Sequence, residues 1–407
     1  HGTSTLFADP TPSFGWWQAD VRTSLGRVEL VAAGGAGGRL GSRQAGQRVE
    51  VTGRIERLDD PTWAVPRHVR ARLVADRVVP IDDGGLLVRI VNGIRGLVVH
   101  GARSLPDDQR ALFTGFVLGD DRGGSVVVAD DFDGAGLSHL LVVSGQNVAF
   151  VLAVASPALS RFRLRGRLAA TVGLIVLFAA VTRFEPSVLR AATMAAIGAT
   201  AVAVGRPVTG VRVVAMAVTG LLLADPLLVH SMGFRLSTAA ALGIVVLARP
   251  LARSLPGAGW LTFPLAVTLA AQATVAPLLV PAFGPMPVAA IPANLLAEPV
   301  AGLVMMWGCT AGVVAGLVPA PVAAMLHWPT RAGLWWVAGV ARVAAGLPLG
   351  TVGLAAVAAA AVCLLVAVVA HGRRSRLGPV AAGLAAVVLI GGGFHSTQVA
   401  AGRIDVG

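Results

Sequence analysis

The feature that most restricts the fold of this chain is a series of long apolar runs that begins at residue 137. A helix needs about 20 consecutive apolar residues to cross the hydrocarbon core of a bilayer, and each run is close to that length. The runs cover residues 137–159, 167–183, 187–205, 208–224, 226–249, 261–283, 292–318, 321–347, 350–370 and 378–394. The run 321–347 is the least typical, because it holds Pro329, Arg331 and Arg342. Only 13% of the 407 residues are charged, so we expect a polytopic α-helical membrane protein with about nine or ten transmembrane helices.

Residues 1–83 have a different pattern, which predicts a small all-β domain. Stretches such as QADVRTSLGRVELVAA and QRVEVTGRIERL alternate apolar with polar residues, and this period of two is typical of half-buried strands. Glycine-rich turns separate the stretches. Short strands in so small a segment suit a barrel or a sandwich.

Residues 84–136 form amphipathic segments between the two parts. Polar side chains recur at roughly helical spacing among Leu, Val and Ile, at Arg89, Asn92, Arg95, His100 and Arg103. This basic stripe predicts a helix lying in the membrane interface. A second helix is expected after Pro106, because a proline followed by two Asp favours a helix start.

The arginine-rich connections predict the orientation in the membrane. SRFRLRGRL, residues 160–168, carries four Arg after the first run, and HGRRSR, residues 371–376, carries three after the ninth. Such connections stay on the cytoplasmic side. If the runs alternate in direction, the β-domain and the C-terminus both lie outside the cytoplasm.

Polar residues within the apolar runs are the candidates for a functional path. Hydrocarbon cannot satisfy their hydrogen bonds, so they must face protein or water. Gly145 would permit a close helix approach or a break. The candidates are Ser144, Gly145, Gln146, Asn147, Arg190, Arg235, Ser237, Gln272, Asn294 and Glu298.

Arg235 allows two interpretations. A central arginine costs about 2.5–3.5 kcal/mol on insertion scales, so it must have a partner or water. It could form a structural ion pair with Glu298 or Glu185, or it could line an aqueous path for anions. The two interpretations are compatible, because a carboxylate can hold a pathway arginine.

Prolines are concentrated late in the chain. Six lie within 23 positions, at Pro277, Pro281, Pro285, Pro287, Pro292 and Pro299. Proline frees backbone carbonyls, which are tolerated only against protein or water. The cluster predicts either broken helices at a transport site or simple packing kinks.

Arginines of the β-domain are candidates for contacting nucleic acid. Single-stranded nucleic acid is bound by positive charge together with an aromatic platform. The candidates are Arg48, Arg54, Arg57, Arg67, Arg70 and Arg72, with Trp63 among them. The segment is nearly neutral, with eleven Arg against ten Asp and Glu, and a tryptophan is also a common core residue.

Motifs for catalysis and metal binding are missing from the sequence. The eight His occur singly, and neither a Walker A nor a G-x-S-x-G motif is present. Cys309 and Cys363 lie in apolar runs and are expected to be small buried hydrophobes. We therefore expect no catalytic centre, metal site or cofactor in these residues.

Several segments, in order, resemble one family, the ComEC competence channels. HLLVVSGQNVAF (residues 139–150) is similar to the family's HLLAVSG-type signature, and EPSVLRAATM (185–194) to its S-x-LRA segment. DPLLVHSMGFRLSTAAALGI (225–244) and the P…NLLxxP pattern ending at Pro299 are similar to two further segments. AGQRVEVTG (45–53) resembles the small OB-type domain near the family's N-terminus. Val143 and Gln146–Asn147 depart from the commonest pattern of the family, so the polar lining of the path would differ from that pattern while its architecture is kept.

The resemblance implies a channel that carries single-stranded DNA across the bacterial cytoplasmic (inner) membrane during natural transformation. It implies an extracytoplasmic OB domain, a DNA-receptor protein and a cytoplasmic translocase or helicase as partners. It also adds His139 to the candidate path. The last residues, IDVG, resemble the start of a metallo-β-lactamase-like nuclease, so residues 395–407 would begin a truncated domain, and the usual N-terminal hairpin is missing.

Two other functions are compatible with the residues. A small-anion transporter would use the same Arg235 and interrupted helices, but it gives the β-domain no role. The chain could also be the membrane part of a nuclease whose catalytic domain lies elsewhere. Preference for single-stranded over duplex DNA separates the channel from the transporter.

Overall fold

The protein consists of an N-terminal β-domain followed by a bundle of helices. The computed structural model describes residues 2–13, 15–58, 64–120, 122–357 and 359. The strands are β1 (Gly2–Leu6), β2 (Thr11–Ser13), β3 (Trp16–Thr23), β4 (Gly26–Ala33), β5 (Arg48–Glu56), β6 (Val69–Asp82), β7 (Met286–Pro287) and β8 (Thr351–Val352). The helices are α1 (Gly34–Gly41), α2 (Leu86–Gly101), α3 (Asp107–Leu118), α4 (Val126–Gly134), α5 (Gln146–Leu159), α6 (Leu164–Val181), α7 (Pro186–Ala203), α8 (Gly210–Ala224), α9 (Met232–Ser254), α10 (Gly259–Phe283), α11 (Ala290–Ala315), α12 (Ala320–Leu326) and α13 (Trp328–Ala345).

The first six strands form one sheet that closes into a barrel. The sheet order is β1-β5-β6-β4-β3-β2, and β1 also pairs with β3. β4 and β6 are parallel, whereas the other pairs are antiparallel, and α1 connects β4 to β5. Five strands closed in this way have the connectivity of an OB-type barrel. Alternation along the strands buries one face, as at Val28, Leu30 and Ala32, and the expectation of a small β-domain is confirmed.

Five helices of the described residues are long and apolar enough to cross a membrane, namely α6, α7, α9, α10 and α11. α5 and α8 are apolar but shorter, with 14 and 15 residues. The expectation of a polytopic helical membrane protein is confirmed. The run 378–394 and most of the run 350–370 lie outside the described residues.

Two of the apolar runs are not single helices. Within 137–159, residues 138–140 form a 3-10 turn and helix begins again only at Gln146. A helix of 14 residues rises about 21 Å, short of a hydrocarbon core of about 30 Å. The run 321–347 divides at His327 into α12 and α13, and neither is among the five candidate spans.

Helix α11 lies at the centre of the helical part. Its small residues allow close approach, since a Cβ on Gly308 or Gly312 would lie within 3.0 Å of the Phe113 ring on α3. A Cβ on Gly302 would lie 2.8 Å from the Phe150 ring on α5. The prolines do not interrupt the neighbouring helices, because α10 continues through Pro277 and Pro281 and α11 through Pro299. At these three prolines the helices are therefore continuous, as the alternative of simple packing kinks allows, and not broken.

The basic stripe of α2 is divided between surface and interior. Arg89, His100 and Arg103 are exposed. Arg95 is 2% exposed and points into the protein, where its Nη1 donates to the carbonyls of Leu118 and Val181 at 2.9 and 2.7 Å. The helical spacing therefore did not distinguish a surface arginine from a core one.

Candidate functional site

Among the described residues, charged side chains join the β-domain to the helical part at two places. Asp9, in the turn after β1, contacts Arg95 of α2 and Arg183 of the α6–α7 corner. His68, in the turn before β6, lies 2.8 Å from Asp225, Nε2 to Oδ2, in the connection between α8 and α9. Helices α7 and α9 therefore both begin beside the β-domain.

The start of α5 packs against the first turns of α7. A Cβ on Gly145 would lie 2.7 Å from the Cβ of Ala191 and 3.2 Å from the carbonyl oxygen of Ser187. The hydroxyl of Ser187 donates to the carbonyl of Val143 at 3.0 Å. Ser144 accepts the N–H of Gln146 at 3.3 Å, so the polar tetrad starts a helix instead of lying along the inside of one. The close approach expected of Gly145 is present.

Arg190 is the central side chain of this junction. It is 8% exposed, its Nε donates to the hydroxyl of Ser237 on α9 at 3.1 Å, and its Nη1 lies 3.0 Å from the sulfur of Met194. Its Nη2 lies 3.1 Å from the Cβ position of Gly145. Among the described residues no carboxylate forms an ion pair with it. A buried guanidinium held only by neutral groups is costly, and it favours an anion.

Other predicted path residues have structural roles or lie apart. Asn147 is fully buried and donates from Nδ2 to the carbonyl of Phe116 at 2.8 Å. Asn294 donates to the carbonyl of Ala290 at 2.7 Å, one turn earlier in its own helix. Arg235 is exposed, and its Nη1 lies 3.4 Å from the sulfur of Met232. Residues two apart on a helix do not share a face, so Arg235 does not act with Ser237.

The remaining candidates lie outside the Arg190 junction. Gln272 is on α10 and Glu298 is on α11, and both are half-buried. His139 is exposed in the 3-10 turn before α5. The partner of Ser237, Arg190, was predicted as a separate candidate, and only the packing of α7 on α9 brings the two together.

The β-domain arginines divide into three groups. Arg67 and Arg72 form ion pairs with Asp20 and Glu29, carboxylates that are about 95% buried, so both arginines support the barrel. Arg48 pairs with Asp82 at 3.6 Å and Arg54 with Glu56 at 3.5 Å, all at the surface.

Arg57 and Arg70 form the third group. They line an open cleft of about 430 Å³ between the ends of β5 and β6, together with Ile55, Leu58 and Val69. Both arginines are exposed, and neither has an ion-pair partner among the described residues. Trp63 lies outside the described residues.

Sequence analysis missed the ion cluster around Asp9. Arg183 holds its carboxylate with two atoms, at 2.8 and 3.1 Å, and Arg95 Nη2 lies 2.8 Å away. Asp120 Oδ2 lies 3.3 Å from the same Arg95 atom. Burial alone would raise the pKa of Asp9, but Arg95 and Arg183 lower it below its ordinary value of 3.8, so the carboxylate remains charged. The only local signal was an arginine in the middle of an apolar helix.

Replacing Gly145 with valine is expected to destabilise the protein by about 1–3 kcal/mol, because the added side chain meets α7 backbone. Gly173→Val on α6 is the matched control, since nothing lies within 4 Å of its Cβ position. Thermal unfolding of the two detergent-purified variants measures the difference. Equal unfolding temperatures would contradict the close contact of α5 with α7.

Comparison with known proteins identifies the family. Among the described residues no group of three His, Cys, Asp or Glu is placed to hold a metal ion. No curated protein and no solved structure matches the chain significantly. The family model described as "Competence protein" matches residues 116–374, which include the Arg190 junction and all five candidate spans. Since the match covers well over half of the chain, the protein belongs to the competence protein family.

Proposed function

We propose that the protein is a channel that carries single-stranded DNA across the bacterial cytoplasmic membrane during natural transformation. Membership of the competence protein family supports a role in DNA uptake. The observation that carries the proposal is Arg190, a buried guanidinium that hydrogen-bonds a hydroxyl and contacts a thioether at the junction of α5, α7 and α9. DNA phosphates need such a group to replace water within a membrane.

The placement of the β-barrel supports DNA as the ligand. OB-type barrels bind oligonucleotides with one face and with the loops after the first and fourth barrel strands. Here Asp9 follows the first barrel strand and His68 precedes the last one, and both contact the helical part. The cleft with Arg57 and Arg70 adjoins the second loop. We infer that a strand bound by the barrel is delivered towards the starts of α7 and α9.

The arginine-rich connections support the orientation. α7 and α9 start beside the β-domain, so the connections after their far ends, 204–209 and 255–258, lie away from it. Arg206 and Arg253 lie at these ends, and the connection between α5 and α6 at the far end of α6 carries Arg161 and Arg163. By the positive-inside rule we place these ends in the cytoplasm and the β-domain outside.

Driving force and delivery are assigned to other proteins. These residues contain no lysine and therefore no phosphate-binding loop of the G-x-x-x-x-G-K-[ST] type. We assign the pulling of the strand to a cytoplasmic translocase or helicase, and its delivery to a DNA-receptor protein on the outer side. The channel itself would supply a solvated, positively lined path.

Binding measurements test the proposal. Fluorescence anisotropy of the detergent-purified chain is recorded with a labelled single strand, with duplex DNA and with inorganic phosphate as competitor, over a series of salt concentrations. We expect preference for the single strand and a steep loss of affinity with salt, because each neutralised phosphate releases counterions. Binding that free phosphate abolishes at low concentration would favour a small-anion transporter. Absence of DNA binding at low salt would reject a path with affinity for DNA.

A further inference from the structure

The corner between α6 and α7 has an unusual backbone. Arg183 and Phe184 have φ angles of +59° and +56°, in the left-handed region that disfavours residues with a side chain. The N–H of Phe184 donates to the carbonyl of Ala179 at 2.7 Å, which is the long bond of a Schellman ending. Glycine is the usual residue at this place. An arginine here needs stabilisation from outside the corner.

The β-domain supplies that stabilisation. Asp9 holds the Arg183 guanidinium with both carboxylate oxygens, and a third bond runs from Arg183 Nη2 to Asn92 Oδ1 of α2 at 2.8 Å. Asn92 in turn donates to the carbonyl of Ala45 at 3.2 Å, and the N–H of Ala45 donates to Asp9 at 2.8 Å. The corner is thus tied to the barrel by a closed ring of hydrogen bonds. Arg183 is 14% exposed and Asp9 is 11% exposed, so water competes weakly for them.

The corner lies directly before the helix that carries Arg190. α7 starts at Pro186, and Arg190 is on its second turn, where it contacts Ser237 and lies beside Gly145. A change of backbone conformation at Arg183 or Phe184 would shift or rotate the start of α7. The position of Arg190 therefore depends on the conformation of the corner.

We propose that Asp9 is a positioning residue that holds the Arg183–Phe184 corner in its left-handed conformation. In this way it couples docking of the β-domain to the position of Arg190. The part that concerns Arg190 rests on the proposed function. The part that concerns the corner stands independently of it. A β-domain displaced by a bound strand or a partner would release the corner and move the buried arginine.

The second contact between the two parts provides a matched control. His68 of the barrel and Asp225 also join the two parts, but Asp225 lies on the α8–α9 connection, away from the corner. Asp225→Asn removes the carboxylate of this second contact, as Asp9→Asn removes the carboxylate of the first. If Asp9 only attached the barrel, the two substitutions would have similar effects on the corner.

Hydrogen–deuterium exchange of the full chain in lipid nanodiscs tests the coupling. We expect Asp9→Asn to speed amide exchange in residues 183–185 by about tenfold, and Asp225→Asn to leave these amides unchanged. Arg183→Lys keeps the charge but loses the two-atom contact, so it tests the same bond with less risk to folding, and we expect exchange faster by about threefold. Unchanged exchange at the corner in both Asp9→Asn and Arg183→Lys, or an equal increase in Asp225→Asn, would overturn the proposal.

A rescue experiment separates positioning from general stability. Glycine adopts positive φ freely, so Phe184→Gly removes part of the need for Asp9, and the Phe184 ring is half exposed and loses little packing. We expect the Asp9→Asn variant to bind single-stranded DNA about tenfold more weakly and the double variant to recover most of that loss. A double variant as weak as Asp9→Asn would overturn the coupling to Arg190. Absence of DNA binding in the unchanged protein would reject the proposed function, while the exchange result at the corner would still stand.

Discussion

Replacing Arg190 with glutamine is expected to weaken the binding of single-stranded DNA by about 10- to 100-fold, since a hydrogen bond to a charged group contributes about 1.5–3 kcal/mol. Glutamine can still bond Ser237, so the contact between α7 and α9 is retained. The slope of log affinity against log salt concentration is expected to become shallower by about one unit, which is the contribution of one phosphate contact. Anisotropy titrations of both proteins measure the two effects.

Stability gives an independent check on the same substitution. Arg190 is buried without a carboxylate partner among the described residues, so its removal takes an uncompensated charge out of the protein. The unfolding temperature of Arg190→Gln is expected to stay the same or rise. Arg206→Gln is the matched control, because Arg206 is exposed just beyond the opposite end of the helix. Equal loss of DNA binding in the two variants would show that overall charge, and not a buried site, determines affinity.

Replacing Arg95 with methionine is expected to destabilise the protein by about 3–5 kcal/mol, the cost of breaking a buried ion pair by removing one partner. The substitution removes one of the cationic partners of Asp9 and of Asp120, and it removes the side-chain donor to two backbone carbonyls. Methionine replaces the aliphatic stem of the arginine, so the loss comes mainly from the missing guanidinium. Thermal or denaturant unfolding in detergent measures the change.

Two further variants make this prediction specific. Arg89→Met, on the same helix but exposed, is expected to change stability by less than about 0.5 kcal/mol. Because Asp9 and Arg95 share an ion pair, Asp9→Asn combined with Arg95→Met is expected to cost less stability than the sum of the two single substitutions. If Arg89→Met and Arg95→Met unfold alike, the ion cluster does not stabilise the docked β-domain.

The long apolar helices and the presence of a β-domain followed from the sequence. Apolar runs predicted α6, α7, α10 and α11 to within about three residues and α9 to within about six, and period-two alternation predicted the β-domain. These patterns are local, because a strand or a helix exposes one face to its surroundings every two or 3.6 residues. Family membership was likewise carried by short segments, of which HLLVVSGQNVAF is one.

Local patterns failed where a residue's role depends on a distant partner. Hydropathy placed Ser144 to Asn147 inside a span, yet the contact of Gly145 with α7 makes them a helix start. Arg67 and Arg72 have the same charge as Arg57 and Arg70. Only the buried partners Asp20 and Glu29 reveal that the first two support the barrel.

The sequence by itself therefore determined the two-part architecture, the presence of the five long apolar helices, and the family to which the chain belongs. The tertiary structure alone decided which charges are paired and which buried arginine is held by neutral groups. Asp9 and Arg183 are 174 positions apart, so no local sequence pattern relates one to the other. Hydrogen bonds and ion pairs act over about 3 Å, so they are determined by how the chain packs and not by how it is patterned.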